Sequence, residues 1–175
     1  DVVPLLGENR VIVDKGLKIL HNPKRIGIRA VMEVAGVLDK PLSASTIAFS
    51  IAPRLNAAGR LGSAATAVEL LLTNDESRAR ELALLLDTEN KERQQTERQI
   101  FDEALELIAK DPNFEKKKVI VLAQENWHQG VIGIVASRLC DMYYKPCILI
   151  SHTNGVGKGS GRSIKGFNLF DALTH

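Results

Sequence analysis

Apolar and polar positions divide the 175-residue chain into two regimes. Up to about residue 73, apolar residues recur at three- and four-residue intervals, the period of helices with one buried face. "VDKGLKILHN" predicts a short helix closed by Asn22 and Pro23. "KRIGIRAVMEVAG" predicts a second, with Gly36 placed to end it in a left-handed turn. "SASTIAFSIAPR" opens on capping serines and is expected to stop before Pro53, leaving "RLNAAGRLG" as a small-residue loop. "SAATAVELLLT" then predicts a helix capped by Ser63.

From Asp75 to Ala109 there is neither glycine nor proline. Leu82, Leu85 and Leu86 make the start of this stretch amphipathic, while "DTENKERQQTERQ" is polar on every face. The pattern predicts one long connecting helix with a solvent-exposed middle, the alternative being two helices split near Thr88.

After the lysine cluster of "KDPNFEKKK" the period changes. "KVIVLAQ" predicts a buried strand, "GVIGIVASRLCDMY" a helix and "PCILIS" a second strand, giving a parallel pair with a right-handed crossover. "TNG" is a hairpin turn signal, "VGKGSGRSI" a third strand or arm, and "NLFDAL" a helix capped by Asn168. The expected fold class is α/β: a helical part over residues 1–74, a connecting helix over 75–110, and an incomplete mixed-sheet α/β part over 111–175.

Composition adds limits. A net charge of +2 gives no global argument for a polyanionic partner, so any such case rests on local patches. Cys140 and Cys147 are too few for a disulfide framework and read as reduced core residues. No apolar run reaches the ~18 residues of a membrane span. The chain opens at Asp1 without methionine and stops two turns into a helical pattern, as expected of a piece of a longer protein.

Three stretches could carry chemistry. In "GSGRS", Ser160 and Arg162 stand two apart, so on an extended arm they share a face. A hydroxyl and a guanidinium converging there, with Gly161 and Ser163 beside them, suit a phosphate; a simple loop is the alternative. In "PRLNAAGRLGSAA", Arg60 lies just before a predicted helix start, where the helix dipole disfavours a cation. A bound anion between Arg60 and Arg54 would explain it, as would a protein carboxylate elsewhere. In "ENWHQGVIG", Trp127 and His128 stand between a strand and a helix, where ligands sit in α/β sheets. Trp127 could stack on a base and His128 touch a phosphate, or both could be structural. Gly130 and Gly133 in the first turns of that helix suggest close backbone packing.

"DVVPLLGENR", "PRLNAAGRLGSAATAVELLL", "LDTENKERQQTE", "ENWHQGVIGIVASRL" and "GSGRSIKGFNL" follow one another in the order found in the bacterial RecJ single-strand DNA exonucleases, of the DHH phosphoesterase superfamily. The resemblance covers nearly the whole chain. It implies a metal-dependent 5′→3′ exodeoxyribonuclease of DNA repair and recombination, with two Mn2+ or Mg2+ ions, in the cytoplasm. It implies single-stranded DNA as substrate, and single-strand-binding protein and a helicase as partners. It further implies that residues 1–74 end a DHH domain and that 111–175 begin a DHHA1-like nucleic-acid-binding domain. By this resemblance Asp1 is a catalytic metal ligand, Ser160 and Arg162 hold the terminal phosphate, and Arg54 or Arg60 a nearby one. The Asp-His-His motif itself is absent from this sequence, so the chain alone is expected to be inactive. Two other readings stand beside this one: a DHH phosphodiesterase of short oligonucleotides or cyclic dinucleotides, and a non-catalytic nucleic-acid-binding scaffold.

Overall fold

A computed structural model describes residues 3–174. Asp1, the expected metal ligand, lies outside the described residues. The chain forms two compact units, Asp1–Glu92 and Arg93–His175.

The first unit is helical. Helix α1 (Gly7–Leu20) begins six residues ahead of the predicted start, and α2 (Ile26–Val34) ends as predicted. Gly36 has a φ of 66°, and the amides of Gly36 and Val37 return to the carbonyls of Glu33 and Met32, a Schellman closure. Gly27 of α2 rests on helix α5 (Ala64–Leu72) so closely that a Cβ there would stand 1.7 Å from the Leu70 carbonyl oxygen. Val31, Met32, Ala58, Leu70, Leu82 and Leu86 lead the core of this unit.

Pro53 does not end a helix, contrary to expectation. Ser43 caps α3 (Ala44–Thr46), a π-helical stretch follows over Ile47–Ile51, and α4 (Ala52–Leu61) runs straight through "RLNAAGRL". The wider π turn supplies the reason. Proline lacks an amide hydrogen and its ring clashes with the carbonyl four residues back. The amide of Ala52 bonds five residues back to Ile47, and Pro53 falls in the first turn of α4, where no amide is required.

Helix α6 (Glu76–Ala109) is a single 34-residue helix whose first half belongs to one unit and second half to the other. Its polar middle is not exposed all round. Asp87 and Asn90 are buried, and the side chains of Arg93 and Glu97 are largely so. These positions recur at three- and four-residue intervals, so the buried stripe continues through this segment in polar residues. Ion pairs run along it: Asp87 with Arg54 and Lys91, Glu97 with Arg93 and Arg138.

The second unit is a three-stranded sheet in the order β1 (Ile120–Glu125), β2 (Cys147–Thr153), β3 (Val156–Arg162). Strands β1 and β2 are parallel, joined through α7 (Ile132–Tyr143), while β2 and β3 form an antiparallel hairpin. The hairpin closes on Asn154 and Gly155, both at positive φ, as an Asn-Gly turn requires. Asn168 caps α8 (Leu169–Thr174) through the amides of Phe170 and Asp171. Helix α7 covers one sheet face, where Cys147, Leu149 and Ser151 are buried together with Val135, Ala136 and Leu139. Strand β1 is therefore one-sided rather than fully buried: Ile120 is enclosed and Val121 is exposed.

Candidate functional site

Period two decides which side chains of β3 meet α7. Ser160 pairs with Leu149 and Arg162 with Cys147, so both face the helix. The expected convergence is present: Arg162 Nη1 donates to the Ser160 hydroxyl at 3.3 Å and to the Gly161 carbonyl at 2.7 Å. Arg162 Nε donates to Ser137 Oγ at 2.9 Å, and that hydroxyl in turn donates to the Gly133 carbonyl at 3.1 Å. Arg162 Nη2 bonds to no protein acceptor among the described residues. It lies beside Gly133, where a Cβ would meet Nη2 at 3.1 Å and Ser160 Oγ at 2.8 Å. The absent side chain of Gly133 is thus what lets the Ser160–Arg162 face approach α7.

The glycines of the strand serve the opposite face. Cβ atoms on Gly157 and Gly159 would meet Ile150, and one on Gly161 would stand 2.6 Å from Leu169 of α8. Gly161 therefore makes room for α8 rather than for an anion on the arginine side, a correction that follows from the strand's period. Ser163 is likewise engaged, its hydroxyl donating to the Phe167 carbonyl at 2.6 Å.

Trp127 is a core residue. It is 3% exposed, and its Nε1 donates to Glu103 at 2.7 Å, so it offers no open face for base stacking. His128 is exposed and holds the loop before α7: Nδ1 accepts the Gly130 amide at 3.1 Å, and its carbonyl accepts the amides of Val131 and Ile132. Gly130 precedes α7, and only Gly133 is inside it.

Arg54 and Arg60 both lie on α4. Arg60 stands in its last turn, where the carbonyl end of the helix favours a cation, so the predicted electrostatic misplacement does not arise. Arg54 is anchored to Asp87 at 2.8 Å with side chains 16% and 9% exposed, and it also donates to the Ser50 carbonyl. Its anion is a protein carboxylate. Ser137, Glu103 and Asp87 went unnoticed in the sequence. Only Ser137 carried a signal, lying one helical turn beyond Gly133.

Among the described residues, no three His, Cys, Asp or Glu side chains gather in a way that could hold a metal ion. The described residues thus do not build a divalent-metal site. Cys140 and Cys147 are free and buried. Burial, then the neighbouring Cys140, pushes the Cys147 thiol up to about 12. No helix among the described residues is long and apolar enough to cross a membrane.

Comparison with known proteins places this geometry. The DHHA1 domain family matches residues 116–175. The chain is 42% identical over 99% of its length to "Single-stranded-DNA-specific exonuclease RecJ" of Bacillus subtilis and 44% identical over 99% to the protein of that name in Haemophilus influenzae. It spans 22% and 31% of the lengths of these relatives. A crystal structure of RecJ in complex with Mg2+ from Thermus thermophilus superimposes with a TM-score of 0.86 at 38% identity, covering 99% of this chain and 26% of that one. A structure of exonuclease RecJ bound to manganese gives 0.82 at 38% identity, covering 99% and 42%. With sequence and fold in agreement over almost all of its residues, the chain belongs to the RecJ family, of which it spans a part.

Proposed function

We propose that this chain is the strand-holding part of a 5′→3′ single-stranded-DNA exonuclease, and that Ser160 and Arg162 bind a phosphate of the strand. The observation that carries this reading is the state of Arg162. Two of its nitrogens are fixed by Ser137, Ser160 and Gly161, while Nη2 remains turned to the Gly133 notch. A guanidinium held in this way loses little freedom on binding an anion, and its planar fork matches phosphate oxygens. Ser160 accepts from Arg162, which leaves its own proton for the same ligand oxygen. These residues bind and orient; hydrolysis falls to groups outside the described residues.

On the same reading, residues 1–74 end a DHH phosphoesterase domain, 75–110 connect, and 111–175 begin the DHHA1-like part. Asp1 is proposed as a metal ligand of the whole protein, and the Mg2+ or Mn2+ of the structural neighbours as its cofactor. A role in repair and recombination, a cytoplasmic location, and single-strand-binding protein and a helicase as partners belong to the same proposal.

The test is strand binding by Arg162→Ala. Loss of a charge-assisted contact of ~1.5–3 kcal/mol predicts a roughly ten- to hundred-fold weaker complex. Arg162→Lys recovers part of it, because lysine keeps the charge and loses the fork. A larger loss for 5′-phosphorylated than for 5′-hydroxyl strands would assign Arg162 to the terminal phosphate. A folded Arg162→Ala chain that binds both strands as the parent does, at equal salt, would overturn the reading.

A further inference from the structure

The second unit carries a cavity of about 460 Å3 whose walls include Lys117, Lys118, Tyr143, Tyr144, Lys145 and Phe167. None of these six takes part in the hydrogen bonds around Arg162. Several are spoken for. Lys145 Nζ donates to the Phe114 carbonyl at 3.1 Å and lies 4.4 Å over the Phe114 ring. Lys117 pairs with Asp111 at 2.6 Å, and Tyr143 packs edge-on against Phe114. Lys118 makes no ion pair among the described residues and is exposed.

Tyr144 stands apart from the rest. It ends α7 in the left-handed region, at φ 50° and ψ 41°, a position that suits glycine or asparagine and strains a bulky side chain. The residue is 67% exposed, so burial does not offset the strain. Phe167, 39% exposed, lines the same cavity, and Glu115 is the one acid among the lining residues. Exposed flat rings beside an unpaired cation are what a single-stranded nucleic acid recognises, since every base has a face to stack and every linkage a charge. We propose that Tyr144 and Phe167 form a stacking platform for single-stranded nucleic acid whose backbone passes Lys118. This rests on the reading of the chain as a single-strand binder but uses different residues.

The test is fluorescence anisotropy of a labelled oligothymidylate with the whole chain at low salt. Tyr144→Gly should weaken binding about five- to tenfold by loss of stacking. Its melting temperature should hold or rise, because glycine suits the left-handed position. Lys118→Gln should lower the slope of log K against log salt by about 0.7. Should Tyr144→Gly fail to fold, Tyr144→Asn removes the ring while tolerating the same backbone. Arg162→Ala in the same assay separates the two ideas. If it is silent while Tyr144→Gly is not, the Arg162 reading fails and the platform stands. Binding by both Tyr144 variants within twofold of the parent overturns the platform alone. A parent chain that binds no oligothymidylate, or takes up a labelled acidic peptide instead, also overturns it.

Discussion

Arg162 Nε donates to the Ser137 hydroxyl at 2.9 Å, which ties the end of β3 to α7. Arg162 depends on this bond for its aim, and a net hydrogen bond of this kind contributes ~0.5–1.5 kcal/mol. Ser137→Ala should weaken single-strand binding a few-fold, well short of the loss in Arg162→Ala, with the melting temperature little changed. Titration of both variants against one oligonucleotide checks the order.

Gly133→Ala should separate stability from binding. Alanine favours a helix by ~1 kcal/mol over glycine. Its methyl would, however, stand 2.8 Å from Ser160 Oγ and 3.1 Å from Arg162 Nη2 and displace both. The expected outcome is a folded chain, near the parent in thermal stability, with strand binding impaired more than in Ser137→Ala. Unchanged affinity would remove the role given to the notch.

The Arg54–Asp87 pair should behave as a structural element. Asp87→Ala leaves Arg54 enclosed without its carboxylate, which costs roughly 3 kcal/mol. Lys91, the other partner of Asp87, is exposed, and Lys91→Ala should cost less than about 1 kcal/mol. Paired denaturation curves measure the difference.

Trp127 is the sole tryptophan, so its fluorescence reports on one place. Emission should be blue-shifted and resistant to acrylamide, and should not be quenched by single-stranded DNA. Trp127→Phe should destabilise the second unit by about 2 kcal/mol through loss of the bond to Glu103. Quenching by DNA would restore the stacking role.

Cys147 makes stability fall at high pH. Its folded value is raised to about 12, above the ordinary range near 9. The unfolded chain therefore releases the thiol proton first, and stability present below about pH 9 is lost progressively toward about pH 12. In the same window the folded protein should resist alkylation at Cys147 while the denatured protein reacts. Mass spectrometry after iodoacetamide treatment reads both.

The parts of the fold visible in the sequence were those with a local physical cause. The Gly36 closure, the Asn154–Gly155 turn, the Asn168 cap and the shared face of Ser160 and Arg162 each follow from a few adjacent residues. The misread parts depended on distant partners. Pro53 looked like a helix end because nothing in its neighbourhood announces a π turn. The middle of α6 looked solvated because the arginines opposite Asp87 and Glu97 come from α4 and α7. Trp127 looked available for a base because Glu103 lies 24 positions away. Arg162 was found on its own strand, whereas Ser137, its support, lies 25 positions earlier.

Glycine at positions 157, 159 and 161 leaves one face of β3 almost blank, and a blank face cannot tell one pairing from another. A strand slipped by two residues would put Gly159 where Gly161 now sits and keep every glycine on the same side. The two-residue Asn154–Gly155 turn sets the observed alignment, and the inscribed face adds to it, where Arg162 meets Ser137 and Ser160 fills the space above Gly133. The groups proposed to grip a phosphate are therefore also groups that seat β3 on α7. Substituting them would loosen both the ligand's grip and the seating of the strand on α7, so amide exchange at the end of β3 should quicken in the same variants that lose affinity.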